Sequence, residues 1–590
     1  MNVKDPICGM PLDENETEFK TGVRRRMYNF CSDYYRHTFL EGKRIAYFSM
    51  EIGVIDDIPT YSGGLGVLAG DTIRSSADLK IPLVAVSLIS RRGYLKQELT
   101  REGNQIEHPV EWTPSKFMNQ LPTQVRVQIQ DREVRIKAWL YDHQSLMGGV
   151  ASILFLDTDV EGNTPEDRDI TSFLYGGDER YRLKQEIVLG IGGVKMLEAS
   201  GFKIRKYHMN EGHSSLLTLE LLRKYDMNPN TVRDLCIFTT HTPVEAGHDK
   251  FPYDMVQATI EEIIPLAFLK RFGGQDRLNM TRLALNLSKY INGVAKKHKD
   301  NSMKLFPGHH ISAISNGVHS FTWTFDSFRE LYDKYIPGWA NEPELLVRVD
   351  SIPDEEIWQA HMDAKEKLMN FISKKTNVSL DRDILTLGFA RRATAYKRTN
   401  FLFSNLGKLR EINRKGRIQA IFAGKAHPKD LSGKQLIEEI NDYIEKLRNV
   451  IKIVYLEDYD MQIAAKLTSG VDVWLNTPLP PFEASGTSGM KAAHNGVINF
   501  SVLDGWWIEG CIEGVTGWSI GPLPIESLSM EERKTWELDD LYNKLSYIIV
   551  PMFYHRRNEW IEMMTNSIGK IAYFFNSHRM MRRYATEAYL

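Results

Sequence analysis

Lys491 stands just after a glycine- and hydroxyl-rich turn, in Glu483-Ala-Ser-Gly-Thr-Ser-Gly-Met-Lys491-Ala-Ala-His-Asn-Gly496. The apolar run Val471-Asp-Val-Trp-Leu475 predicts a short strand before it, and Met490-Lys-Ala-Ala493 the first turn of a helix. Backbone N–H groups at such a helix start have no internal partner, so the chain from Gly486 to Gly489 is suited to cradling a phosphate. A lysine at this point is either an ordinary cation or an amine able to form a Schiff base with a cofactor aldehyde.

Other segments carry related chemistry. Tyr61-Ser-Gly-Gly-Leu-Gly66 is a second glycine turn at a predicted helix start. There Gly63 and Gly64 let backbone amides approach an anion, although such turns also merely reverse the chain. In Gly388-Phe-Ala-Arg-Arg-Ala-Thr-Ala-Tyr-Lys-Arg398 the cations Arg391, Arg392, Lys397 and Arg398 follow a predicted strand at its carboxyl end, where open α/β sheets bind ligands. This is either a solvated basic strand end or the set of fixed charges that two neighbouring phosphates require. His241 directly follows the strand-like Leu235-Cys-Ile-Phe-Thr239. The spacing of His208 and His213 also allows a metal reading, but no carboxylate–histidine motif on a helix completes it.

Two series of elements position these residues. From Ile45-Ala-Tyr-Phe-Ser49 onward, apolar strand-like runs (83–89, 153–156, 207–210, 235–239, 311–315) alternate with helical stretches such as 182–197 and 214–225, as in a parallel sheet covered by helices. A composition change around 335–343 marks a boundary. After it, helix 354–375 precedes strands 384–389, 418–422 and 450–455, with a charged helix at 433–448, the pattern of a doubly wound domain. Residues 1–42 differ in composition and read as a separate module. No internal repeat is evident.

The 590 residues suit two large α/β domains with an appendage. A net charge of -2 and the lack of a long basic block argue against nucleic acid or an anionic membrane as partner, so phosphate recognition must be local. No run of eighteen uncharged apolar residues occurs and the first residues lack a signal-like apolar core. Four cysteines (Cys8, Cys31, Cys236, Cys511) are too few for a disulfide framework, and a cytoplasmic location is expected.

The segment EASGTSGMK resembles the pyridoxal-phosphate lysine motif of the α-glucan (glycogen, starch, maltodextrin) phosphorylases. Near-continuous similarity runs from 45 to 590, through EIGVIDDIPTYSGGLGVLAGD, Phe238-Thr-Thr-His-Thr-Pro243, Leu503-Asp-Gly-Trp-Trp-Ile-Glu-Gly510 and Phe575-Asn-Ser-His-Arg-Met-Met-Arg582, and the length matches the short microbial type. The resemblance implies an α/β fold of GT-B architecture, two doubly wound Rossmann-like domains facing across a cleft. Its expected parts are 43–335 on the glucan side, 336–565 on the cofactor and phosphate side, and a C-terminal helix at 566–590 crossing back. It further implies reversible phosphorolysis of α-1,4-glucan or maltodextrin by inorganic phosphate to glucose 1-phosphate, with pyridoxal 5'-phosphate on Lys491.

Carried over residue by residue, Thr487, Ser488, Tyr459 and Arg391 become cofactor contacts. Arg392 and Lys397 grip the substrate phosphate, against Gly63 and Gly64. His241, Asn316, Tyr396, Glu483, Ser485 and Gly486 surround the glucose, and Asn210, Glu211 and His213 lie on the acceptor side. Asp460 departs from the pattern, since long relatives often carry Arg there. A nucleotide-sugar-dependent glucan synthase of the same architecture explains the glycine loop but needs no such lysine. A non-catalytic glycan- or metal-sensing protein is the further alternative. Residues 1–42 resemble a YHS domain (Asp5-Pro-Ile-Cys-Gly-Met10, Tyr28-Asn-Phe-Cys-Ser32), whose soft ligands Cys8, Met10 and Cys31 are weak metal candidates because Tyr34 and Tyr35 stand where a further thiolate is usual. Oligomeric state is left open, a homo-oligomer being compatible with the sequence.

Overall fold

The structure, a computed structural model, describes residues 2–4, 11–13, 17–23, 26–30, 43–260, 264–523 and 528–590. Cys8, Met10, Cys31, Tyr34 and Tyr35 lie outside them. Strands Asn2–Lys4 and Pro11–Asp13 pair antiparallel, as do Phe19–Val23 and Arg26–Phe30.

Two sheets organise the rest. The first has nine strands: β1 Lys43–Ser49, β2 Leu83–Leu88, β3 Asn119–Ile129, β4 Arg132–Gln144, β5 Val150–Asp157, β6 Lys203–Asn210, β7 Cys236–Thr239, β8 Tyr290–Gly293 and β9 Ser312–Ala313, in the order β9-β8-β7-β6-β1-β2-β5-β4-β3. All neighbours pair parallel except the β5-β4-β3 edge. Every residue of β2 is buried, and apart from Ser87 it reads as an apolar run, as strands covered on both faces do. The antiparallel hairpin β3–β4 alternates buried with exposed residues and was not foreseen. It makes this sheet mixed rather than purely parallel.

The second sheet has six parallel strands: β10 Leu385–Ala390, β11 Ile418–Ala423, β12 Lys452–Leu456, β13 Val473–Asn476, β14 Ile498–Val502 and β15 Gly517–Ile520. Their order, β12-β11-β10-β13-β14-β15, is that of a doubly wound dinucleotide-binding sheet. Strand order reverses between β10 and β13, the point beyond whose carboxyl ends sheets of this kind bind their ligands. In the first sheet the reversal falls between β1 and β6. The α/β fold with one mixed and one parallel sheet is GT-B-like.

Helix α1 (Gly64–Asp78) follows the first glycine turn. A Cβ at Gly70 would lie 1.8 Å from the Gly53 carbonyl oxygen, so only glycine lets the helix sit this close to the loop after β1. The C-terminal helix α2 (Ser577–Arg583) packs on α1. Met580, Met581, Tyr584 and Tyr589 join Ile45, Tyr47 and Ile73 in one apolar cluster. Asp78 Oδ2 accepts hydrogen bonds from His319 Nε2 (2.7 Å) and His578 Nε2 (2.8 Å), and the Asn341 carbonyl accepts from His578 Nδ1 at 3.1 Å. Between the two sheets Val67, Trp323, Met461, Met490, Trp506 and Phe575 form a shared apolar cluster.

Candidate active site

The cation-rich loop leaves β10 and the lysine loop leaves β13, so the reversal of strand order places them side by side. Glu483 Oε2 lies 2.5 Å from both Arg391 Nη2 and Lys397 Nζ. Burial alone would raise the Glu483 carboxyl, but the two cations outweigh it and hold the group at about 2. Arg391 Nη1 is buried and finds no partner among the described residues. Lys397 Nζ also lies 4.5 Å from the centre of the Tyr396 ring.

Lys491 is buried in the first helical turn (Ser488–Ala493), its Nζ 3.6 Å from the centre of the Trp323 ring. Trp323 is itself fixed, Nε1 donating to Asp71 Oδ2 at 2.9 Å. Burial pulls the Lys491 amine down to about 8. Gly486 has φ +77°, the Thr487 carbonyl accepts from Lys491 N–H, and Ser488 Oγ accepts from Trp474 Nε1 at 3.0 Å. Ser485 Oγ turns back to the Gly486 carbonyl at 3.0 Å. Tyr459 is partly buried, and the desolvation of its hydroxyl pushes that group's pKa up. Asp460, read from sequence as a lost cation, caps the helix Met461–Gly470 by accepting from Ile463 N–H at 2.8 Å.

The facing crevice of the first sheet is lined by hydrogen-bonded polar groups. The His241 N–H and Thr242 hydroxyl donate to Glu211 Oε2 (2.7 and 2.9 Å), and the Gly212 N–H donates to Oε1. His241 Nε2–H donates to Asn210 Oδ1 at 2.6 Å. Burial pulls His241 down to about 3, so the ring is neutral and keeps that proton. Asn316 is buried with its Oδ1 unpaired among the described residues. His213 is 3.5 Å from Asp249 and beside the Tyr175 ring.

The two crevices face each other. Arg392 Nη2 donates to Ser62 Oγ at 3.1 Å, and the guanidinium is 3.4 Å from where a Cβ on Gly63 would be. The Gly63 N–H donates to Glu51 Oε2 (3.1 Å), whereas nothing stands within 4 Å of a Cβ on Gly64. A two-stranded ribbon, Lys96–Leu99 with Gln105–His108, reaches across to the second sheet. Its Gln97 Nε2 donates to the Gly424 carbonyl (2.9 Å) and its Gln105 Nε2 to the Ala426 carbonyl (3.0 Å).

A carbohydrate phosphorylase family model matches residues 267–515. The maltodextrin phosphorylase of Thermococcus litoralis is 39% identical over 92% of this chain and 70% of its own length. This chain belongs to the carbohydrate phosphorylases. The α-glucan phosphorylases are those the lysine motif pointed to, and the chain length pointed to their short microbial type. The glycogen phosphorylase of Aquifex aeolicus is 34% identical over 93% of this chain and 86% of its own length. An uncharacterised protein of Methanocaldococcus jannaschii is 31% identical over 93% of this chain and its whole length. Among the described residues, no helix is long and apolar enough to cross a membrane.

Sequence reasoning missed several residues that support this candidate site. Glu51 accepts from the Ser62 N–H and hydroxyl, the Gly63 N–H and the Tyr175 hydroxyl, and so shapes the glycine turn. Asp71 fixes the tryptophan under Lys491. Arg182 stacks 4.4 Å over the Tyr175 ring, with its Nε 3.9 Å from the same Asp249 Oδ2 that faces His213, and Glu186 is buried nearby. The polar run Glu179-Arg-Tyr-Arg-Leu-Lys-Gln-Glu186, on a helix with a buried face, was the available signal.

Proposed function

We propose that this chain catalyses reversible phosphorolysis of α-1,4-glucan at non-reducing ends, releasing glucose 1-phosphate with retained configuration and using pyridoxal 5'-phosphate at Lys491. One observation carries the reading. Arg391, Lys397 and Glu483 converge at the strand-order reversal whose second loop carries buried Lys491, while Arg392 reaches the glycine turn beyond the other.

The residues fit the cofactor. An amine held at about 8 has roughly a tenth of its population unprotonated at neutral pH, the form that attacks an aldehyde. The face of Trp323 receives the lysine, and the unpaired Arg391 Nη1 is free to bind a cofactor phosphate. Pyridoxal 5'-phosphate held there would supply a phosphate group able to act as acid and base beside the substrate phosphate. Arg392 and Lys397 hold that substrate phosphate against the repulsion of a second anion. Neutral His241, its Nε2–H held by Asn210, leaves Nδ1 as an acceptor, and Asn316 Oδ1, unpaired among the described residues, is a second acceptor for sugar hydroxyls.

Glu51, Glu211 and Glu483 are each held by N–H groups, hydroxyls or cations, so none of these three stands free as the acid or base that a hydrolase employs. The apolar cluster and the ribbon join the two sheets, and closure of the sheets on bound substrate would keep water from the cationic sugar carbon. The division at about residue 335, a YHS-like front module, and a cytoplasmic setting belong to the same proposal.

Phosphate-dependent release of glucose 1-phosphate from maltodextrin, with an absorbance band that borohydride bleaches, is the expected result. Lys491→Ala should abolish both. Wild-type protein that takes up no pyridoxal phosphate and transfers glucose from a nucleotide sugar would instead establish the synthase.

A further inference from the structure

Leu503-Asp-Gly-Trp506 follows β14 as a turn that bears on the lysine loop from below. Asp504 is buried, its Oδ2 accepting the N–H of Glu483 (2.9 Å) and its Oδ1 the N–H of Gly505 (2.9 Å). One residue further on, the Trp506 N–H donates to the Ser485 carbonyl at 2.9 Å. Gly505 has φ +55°, and a Cβ there would stand 2.3 Å from that same carbonyl oxygen, so glycine alone permits the approach. The segment Glu483–Ser485 is therefore held from below by three residues of one turn, while the Glu483 carboxylate is held from above by Arg391 and Lys397.

We infer that Asp504 is a positioning residue for phosphorolysis: through the N–H of Glu483 it sets where the Glu483 carboxylate stands between the cations and the sugar. The inference rests on the function proposed above. Asp504 touches no cation of the site at hydrogen-bond distance, and its effect passes through Glu483. Exchange of the carboxylate for an amide leaves one oxygen to serve two N–H groups and turns an N–H donor toward the other, so the Glu483 backbone must shift. A shift of a fraction of an ångström at a substrate-holding group is enough to lower turnover.

The test is a double-mutant cycle on the holoenzyme in the phosphorolysis direction. Asp504→Asn is expected to lower kcat/KM by about tenfold in the wild-type background and by less than about threefold when Glu483→Gln is already present. Cofactor absorbance should be unchanged. Equal losses in both backgrounds would overturn the inference and make Asp504 a merely structural residue. If Asp504→Asn does not fold, Asp504→Glu takes its place, because it keeps the charge but cannot reach both N–H groups with the same geometry. The same loss confined to the Glu483 background is expected, and wild-type kinetics would overturn the inference. Absence of any phosphate-dependent activity in the wild type refutes the proposed function instead, so the two failures are distinguishable.

Discussion

Replacing Glu483 by Gln removes the one carboxylate between two largely buried cations, Arg391 and Lys397. Held at about 2 against an ordinary 4.5, that carboxylate carries about 3 kcal/mol of favourable interaction with its surroundings at neutral pH. The figure agrees with the roughly 3–5 kcal/mol lost when one partner of a buried pair is deleted. The cations left behind are those assigned to phosphates, so an added anion should restore part of what the substitution removes. Thermal midpoints measured across a phosphate titration give the comparison. Glu483→Gln should melt lower than wild type without phosphate and gain more from phosphate than wild type does. The sign with pH also follows. The folded group titrates lower than the unfolded one, so its contribution is complete above about pH 5 and is lost as pH falls toward 2. The gap between wild type and variant should therefore be level from about pH 5 to 8 and narrow only in stronger acid. An unchanged midpoint, or a phosphate response equal in the two proteins, would refute the placement of Glu483 between functional cations.

Arg392→Ala and Lys397→Ala should each lower kcat/KM by a factor equivalent to about 2–4 kcal/mol and raise the phosphate requirement, while the cofactor band persists; normal kinetics in either variant would exclude that residue from the phosphate site. Asp78→Asn should lower the thermal midpoint, because it weakens the carboxylate that joins His319 to His578. Both Asp78 and His319 titrate lower in the fold than in the unfolded chain, Asp78 because its two histidine partners outweigh burial, and His319 because burial outweighs its carboxylate. Their contribution should be lost as pH falls, first below about 6.5 as His319 protonates on unfolding and then below about 4 for Asp78. A wild-type midpoint that stays flat across that range would count against the clasp.

The buried strands were legible because they are covered on both faces, which leaves near-continuous apolar runs such as Leu83–Leu88, interrupted only by Ser87. The ribbon that bridges the sheets was not legible, since its buried residues, Gln97 and Gln105, are polar and are buried only because carbonyls of the other sheet accept from them. Arg391–Lys397 and Glu483–Lys491 stood out as contiguous motifs, each following one strand. Asp71 did not, since its partner Trp323 is 252 positions away. Asp460 was read for the charge it lacks. The helical run directly after it was a legible signal of the capping role that it has.

Ser75 and Ser577, whose hydroxyls meet in the packing of α2 on α1, are 502 positions apart. During synthesis, strands β1 to β9 therefore leave the ribosome long before Met580, Tyr584 and Tyr589, which belong to the apolar cluster around Ile45 and Tyr47. Until those residues emerge, that part of the first core has an uncovered apolar face. The second sheet is by then already complete, and it is the unit expected to fold without waiting. Closing so long a loop costs only slightly more than closing a short one, because the entropy grows with the logarithm of length. The delay is thus one of translation time, and the half of the molecule made first is the half finished last.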